Sequence, residues 1–504
     1  MTSYVAEPHS QVEVRIWDFL LIGLGSLLLA SMVGLHVESR AAEADALQNL
    51  NLGLNLSHHG VYGRAPDAVG YHIREPFFPW VLALTDQLYG LLGLPQVDYA
   101  CSLEPANLEA RCRTAYRAYK LPLVLFLAGM PLLGFLLVMQ FTGRRSLAYP
   151  VAVLIGLDRT LILGTQDFLT ELPAAFLMLL STWLMVRVCL SWKVRTAILL
   201  GLSLAALVLT KVVFVYALPF VLGGLVLQGW LAQPPKPHLH AMLKAGTAVL
   251  VAYGCLVGGY MVRNFVTADN FALVEHRSYQ VHTIRAWYNS MTHAEFLAGF
   301  DYYYPGPNRG QNWQRFATDN PDGFRMAAQT HYRNRVQQLL AEGKDWEEVS
   351  GIVSVEATEM MLADPLQHLQ VTPLLAWRGV FLTFGLGYER PPLQTTIASD
   401  QGWQVPRPNL VWPTMLRGAF DVLLMVAMVA LAVVALWRKR AIWFLPVLLA
   451  LYSHSVYALV SHFIPRYAWP EMPLRLVALA ICLHLLFTWV NGLRRDARAG
   501  MAAG

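Results

Sequence analysis

Ten apolar runs, each set off from the next by a short basic turn or a long polar stretch, constrain this chain more than any other feature. They fall at roughly 17–37, 119–142, 146–165, 173–191, 195–210, 212–231, 245–262, 413–437, 441–459 and 473–490. Most approach or exceed the ~18 residues that mark a membrane span. Inside hydrocarbon the backbone N–H and C=O groups find no water, so such runs must close their hydrogen bonds internally, as helices. The shorter runs predict helices that are tilted, or broken by proline and buried in a bundle. With 56% hydrophobic and only 14% charged residues, the composition is that of a membrane protein and not of a soluble domain. The expected fold is an all-α polytopic membrane protein of about ten transmembrane helices. The opening MTSYVAEPHSQVEVR has no cleavable signal pattern, and the first run offers no small-residue cleavage site, so it is read as a retained span.

Charge sets the orientation. Arg144/Arg145, Lys193/Arg195, Lys236/Lys244, Arg438/Lys439/Arg440 and Arg494/Arg495/Arg498 all fall on one side of the ten spans. By the positive-inside rule that side is cytoplasmic, and both termini lie there. The formal net charge of +5 is therefore a footprint of orientation, and a nucleic-acid partner is not expected. Two further apolar stretches are ambiguous. Counting 77–94 as a span would put Arg144 and Arg145 outside, so it is read as an interfacial or bundle-packed helix. The stretch 373–388, interrupted by Arg378 and glycines, is read the same way.

This topology is asymmetric. Two long loops, 38–118 and 263–412, lie outside, whereas the cytoplasmic side has short turns. Loops beyond about 15 residues are usually functional, so the chemistry is expected on the outer face. The chain divides into an N-terminal transmembrane core with its first outer loop (1–262), a mostly helical outer region (263–412), and C-terminal helices with a cytoplasmic tail (413–504). No heptads, internal repeats or low-complexity tracts interrupt it. Cys189, Cys255 and Cys482 sit in apolar runs and read as inert packing. Cys101 and Cys112 share one polar loop; they pair if it faces an oxidising compartment and stay as two thiols if it does not.

Ionisable groups at span ends are informative because a charge near lipid is costly and tends to be paired or functional. Glu43 and Asp45 follow the first span, Asp167 and Glu171 occupy the turn before the fourth, and Lys211 sits between the fifth and sixth. Arg263 follows the seventh, and Arg466 lies between the ninth and tenth. Singly, each has a plain reading: Lys211 and Arg263 as snorkelling cations, Asp167 as a helix N-cap. His454 and His462 read as hydrogen-bonded packing residues, and His58–His59 lacks a third ligand at helical spacing for zinc. Together they are acids able to act as base or metal ligand facing cations able to hold a phosphate. There is no GxxxxGK[ST] and no strand-led GxGxxG, so a nucleotide donor is unsupported and a lipid-phosphate donor fits better.

In order along the chain, Asp45 precedes Asn55-Leu56-Ser57-His58-His59-Gly60-Val61-Tyr62. Arg74-Glu75-Pro76-Phe77-Phe78-Pro79-Trp80, Thr170-Glu171-Leu172-Pro173, Leu209-Thr210-Lys211, Tyr260-Met261-Val262-Arg263-Asn264 and Arg466-Tyr467-Ala468-Trp469-Pro470-Glu471-Met472-Pro473 come after it. In this order and spacing the chain resembles the GT-C-type glycosyltransferases of bacterial membranes. These form the broad superfamily of dolichyl-phosphate-mannose–protein mannosyltransferases and aminoarabinose-transferase-like enzymes. The resemblance runs to about residue 480. It departs at Asp45-Ala46, where the family often has Asp-Glu, and at Leu172, which intrudes before the proline; 263–412 matches nothing in the pattern.

The resemblance implies an inverting transfer of a sugar from a polyprenyl-phosphate carrier to an acceptor outside the cytoplasm, in a bacterial inner membrane with the site facing the periplasm. Asp45 is then the expected base, and Lys211, Arg466 and Arg263 the groups that hold the donor phosphate. Glu171 or Asp167 would orient the base, bind acceptor or hold a divalent cation; Glu75 and Arg74 are further acceptor or metal candidates. Helical register leaves a second base candidate. Glu43 shares a stripe with Leu47, Leu50 and Leu54, and Asp45 points away from it, so Asp45 faces the cavity if the stripe packs on lipid or the bundle, and Glu43 if it roofs the cavity. The competing functions are a transporter or flippase of a lipid-linked sugar, an O-antigen-ligase-like transferase using a diphosphate donor, and a polymer-assembly subunit that has lost its base.

Overall fold

Each expected span is helical. The computed structural model describes residues 15–36, 45–68, 74–102, 119–165, 168–231, 238–274, 278–302, 323–382, 397–398, 404–405 and 414–502. The first half contains α1 (Ile16–His36), α2 (Asp45–His59), α3 (Phe77–Leu91), α4 (Leu121–Thr142), α5 (Arg145–Gly156), α6 (Arg159–Leu163), α7 (Glu171–Ser191), α8 (Val194–Thr210), α9 (Ala217–Leu231) and α10 (Leu239–Ala268). The region 263–412 contributes α11 (Ser278–Trp287), α12 (His293–Tyr302), α13 (Gly323–Ala341), α14 (Trp346–Ala363) and α15 (Pro365–Val380). It also holds a two-residue antiparallel ladder, Ile397 opposite Val405 and Ala398 opposite Gln404. The chain then closes with α16 (Thr414–Trp437), α17 (Leu445–Val460), a 3-10 segment Pro465–Glu471 and α18 (Met472–Ala502).

Among the described residues, seven helices are long and apolar enough to cross a membrane. Three shorter apolar helices, Ile16–Met32, Val194–Thr210 and Leu445–Val460, occupy the remaining three of the ten expected positions. The stretch 77–94 forms α3, whose 15 residues rise about 1.5 Å each and so fall short of a bilayer. Its Asp86 is fully buried; it accepts from Ser57 Oγ at 2.5 Å and lies 3.1 Å from His58 Nε2. The α2–α3 crossing is close because of Gly53, where a Cβ would come within 2.8 Å of Leu82 Cβ. In the second ambiguous stretch the helix α15 ends at Val380, and 383–388 lie outside the described residues.

One contiguous apolar core runs through the bundle and takes in Ile284, Tyr288, Val371 and Leu374 of the region 263–412. A second, small core of Tyr332, Val336, Leu339, Val349 and Val353 joins α13 to α14. Several buried charges are paired. Asp18 accepts from Arg145 Nε at 3.1 Å and Tyr149 Oη at 2.5 Å. Arg417 bridges Asp158 (3.1 Å) and Asp421 (3.0 Å). Fully buried Arg475 binds Glu471 at 2.7 Å and the Val380 and Gly379 carbonyls at 2.9 and 3.0 Å. His454 joins that group, 3.1 Å from Glu471 Oε2 and 3.0 Å from the Ala376 carbonyl, in keeping with a hydrogen-bonded packing role. These contacts tie the end of α15 to the turn that carries Arg466.

The cysteines divide differently from the expectation in one respect. Cys189 is buried and Cys482 half-buried, but Cys255 is exposed and lines a groove between α8 and α10, so it is not core packing. Cys101 is buried and disulfide-bonded; Cys112 lies outside the described residues.

Candidate active site

Helix α2 begins at Asp45, with the acid in its first turn, where the helix dipole favours negative charge. Leu50 and Leu54 of the expected stripe are fully buried and Leu47 is half-buried, whereas the Asp45 side chain keeps 29% exposure. Glu43 lies outside the described residues. At the other end of α2, buried Asn55 donates through Nδ2 to the carbonyls of Val61, Gly63 and Ala65 at 3.1, 2.8 and 2.9 Å. Gly60, at φ +70, makes the turn they close. The folded-back loop brings the Tyr62 hydroxyl to the Arg74 carbonyl at 2.9 Å. Spacing of Asn55, Gly60 and Tyr62 thus has a physical purpose: it sets Arg74.

Arg74 is buried, donates from Nε to Gln48 Oε1 at 2.6 Å, and from a terminal nitrogen to Asp45 Oδ1. The other Asp45 oxygen, Oδ2, accepts from Arg466 at 2.6 Å, across 421 positions of sequence. Arg466 Nε lies 3.6 Å from Glu171 Oε1, and Lys211 Nζ donates to that same oxygen at 3.2 Å. Glu171 and Lys211 are both buried. Lys211 sits at an extended break, φ −147 and ψ 110, between α8 and the 3-10 segment Val212–Tyr216. The N–H of Val212, exposed by that break, is taken by Glu75 Oε1 at 3.2 Å. Asn49 Nδ2 donates to the Phe168 carbonyl at 2.8 Å and ties α2 to the approach of α7.

Five expected residues, Asp45, Arg74, Glu171, Lys211 and Arg466, therefore form one continuous ion network, and Glu75 braces its Lys211 end. Tyr467 supplies an aromatic wall: Lys211 Nζ is 5.6 Å and Arg466 Cζ 5.9 Å from its ring centre, and Tyr457 stacks on it at 4.7 Å. Arg263 stands one ring away, 5.7 Å from the Tyr62 ring centre and 5.9 Å from that of Tyr260. It lines a cavity of about 420 Å³ with Leu56, Gly60, Trp80 and Tyr260. That cavity shares Cys255 and Leu256 with the apolar groove between α8 and α10, about 740 Å³, walled by Val194, Ile198, Leu202, Leu243 and Val251. Asp167 lies outside the described residues.

Sequence reasoning missed Gln48 and Tyr467. Gln48 comes three residues after Asp45 and so shares its helix face; Tyr467 is next to Arg466. Among the described residues no group of three or more His, Cys, Asp or Glu side chains is placed to hold a metal ion. Among the described residues Asp45 and Glu171 are each paired with guanidinium or ammonium groups. Two atoms of the network stay buried without a hydrogen bond among the described residues, Glu171 Oε2 and Arg466 Nε. Chemically, the arrangement presents anionic oxygens and phosphate-sized cationic donors side by side, a few residues from apolar grooves.

No protein-family model and no curated protein matches the chain. Solved structures with some likeness include the oligosaccharyltransferase AglB of Archaeoglobus fulgidus, in complex with an inhibitory peptide and a dolichol-phosphate. It is 13% identical over 95% of this chain and 52% of its own, with a TM-score of 0.43. An oligosaccharyltransferase of Archaeoglobus fulgidus in complex with Zn and sulfate scores 0.42 at 14% identity, over 95% of this chain and 51% of its own. ArnT of Cupriavidus metallidurans in the apo state is 15% identical over 93% of this chain and 77% of its own, with a TM-score of 0.34. The chain thus spans about half the length of the archaeal enzyme. Identities and scores this low transfer no residue role to this chain.

Proposed function

We propose that this protein is an inverting glycosyltransferase that moves a sugar from a polyprenyl-phosphate carrier to an acceptor hydroxyl or amine at the outer face of a bacterial inner membrane. The observation that carries the reading is the convergence of Asp45, Glu171, Arg74, Lys211 and Arg466, drawn from distant segments, into one network. In the reaction, the acceptor oxygen or nitrogen attacks the anomeric carbon and forms the new glycosidic bond. The bond from that carbon to the phosphate oxygen breaks, and its electron pair leaves with the carrier phosphate. Asp45 takes the acceptor's proton as general base. Lys211 and Arg466 stabilise the charge that grows on the departing phosphate, so no general acid is needed. The isoprenoid tail lies along the α8–α10 groove, with Arg263 guiding the phosphate from its end.

A test is a transfer assay on the purified protein with labelled polyprenyl-phosphate sugar. Asp45→Asn is expected to lower transfer at least about 100-fold, the low end for loss of a general base. Full activity in that variant sinks the base assignment. Movement of the lipid across vesicles without transfer supports the transporter instead, and preference for a diphosphate donor supports the ligase-like alternative.

A further inference from the structure

The two guanidinium groups that grip Asp45 are not equivalent. Arg74 is fixed: its side chain is 5% exposed, Gln48 holds its Nε at 2.6 Å and Tyr62 holds its carbonyl at 2.9 Å. Arg466 is held far less. Its side chain is 30% exposed, its Nε makes no hydrogen bond among the described residues, and it is shared between Asp45 Oδ2 at 2.6 Å and Glu171 Oε1 at 3.6 Å. A carboxylate gripped by two guanidinium groups is a weak proton acceptor, because both grips favour the anion. The same N–H cannot serve Asp45 and a phosphate at once.

We propose that Arg466 is a gate: the donor phosphate takes the N–H that Asp45 Oδ2 now holds, and donor binding itself frees the base. Arg74 keeps Asp45 aimed through Oδ1 while Oδ2 turns to the acceptor's proton. The inference rests on the proposed reading of Asp45 as base and Arg466 as phosphate holder, and it adds the order: donor first, then deprotonation. It also gives the site protection, since the base stays neutralised until a sugar donor is in place. Asp45 is accordingly a competitor of the donor for Arg466, and that competition lowers the apparent donor affinity. Removing its charge therefore tightens donor binding, whereas removing a residue that merely builds the pocket weakens it.

The experiment is calorimetric binding of farnesyl phosphate, a short polyprenyl monophosphate, to the full chain in detergent. It compares the parent with Asp45→Asn, Asp45→Ala, Arg466→Gln and the Asp45→Asn/Arg466→Gln pair. Both Asp45 variants are expected to bind about 5- to 10-fold more tightly, at the low end of energetic couplings between groups. Arg466→Gln weakens binding, and in that background Asp45→Asn no longer tightens it. Asp45 variants that bind as the parent does, or more weakly, overturn the gate and leave the base assignment to the transfer assay. Arg466→Gln that binds as tightly as the parent overturns the gate and the donor-phosphate reading together.

Discussion

At the residue scale, the site is a balance of buried charges in which each partner is needed by the next. Glu171 is buried with Lys211 as its closest cation, 3.2 Å away. Removing one member of such a pair strands the other, at about 3–5 kcal/mol. Lys211→Met is therefore expected to lower thermal stability in detergent by up to that amount, since Arg466 stays 3.6 Å from Glu171, and the Glu171→Gln/Lys211→Met pair to recover most of it. Equal stability of the single and double variants in a melting experiment contradicts the coupling. Asp45, Glu171, Lys211 and Arg466 are recognisable in the sequence because a charge at the end of an apolar run stands out, whereas Arg74 comes into view only through the resemblance. Gln48 and Tyr467 are not recognisable, since neither is unusual until the neighbour it serves is in place. The same holds for the brace that Glu75 gives the Val212 N–H, a contact between segments 137 positions apart.

At the element scale, the break at Lys211, the loop after α2 and the 3-10 segment Pro465–Glu471 do the positioning. Helix α2 is the carrier of the expected base, and its seat on α3 depends on Gly53. Gly53→Val pushes a branched side chain into Leu82 Cβ, and overpacking of this kind costs about 1–3 kcal/mol. The expected outcome is a lower melting temperature together with a larger loss of transfer than the stability change explains, because α2 moves Asp45 with it. A variant that melts and transfers like the parent shows that α2 is seated by other contacts. Most span limits are readable from composition to within a few residues, although α10 and α18 run well past theirs, to Ala268 and Ala502. The α2–α3 contact is not readable, because nothing local to a glycine announces which neighbour it admits.

At the scale of the whole molecule, the region 263–412 is seated on the bundle by a buried cation. Arg285 donates to the carbonyls of His368 at 2.8 Å and Ala458 at 3.4 Å, to Thr372 Oγ1 at 3.1 Å and to Asn289 Oδ1 at 2.7 Å. Burial pushes its pKa down to about 10. Burial, and then the charge of Arg285, hold His368 below the ordinary histidine value, and burial alone does the same for His282. Both imidazoles are thus neutral in the fold and protonate more readily when it opens. Their contribution to stability is complete above about pH 6.5 and is lost as pH falls from there through the lowered folded values. Amide exchange in 278–290 and 365–380 is expected to be faster at pH 5.5 than at pH 8 after correction for intrinsic rates; equal protection at both refutes the histidine linkage.

Apolar run length and the sidedness of basic turns determined by themselves that this chain is a bundle of helices. Hydrocarbon leaves the backbone one way to satisfy itself, and that requirement acts within each segment. They also put the acids and bases at span ends, where charge is tolerable. Which of those charges meet was decided only by the tertiary structure, since Asp45 and Arg466 are 421 residues apart and no local periodicity reaches that far. The fold alone made Arg74 rigid and Arg466 loosely held, through Gln48 and Tyr62 on one side and a shared, partly exposed grip on the other. That asymmetry, invisible in a string of residues, is the physical basis of the proposed gate.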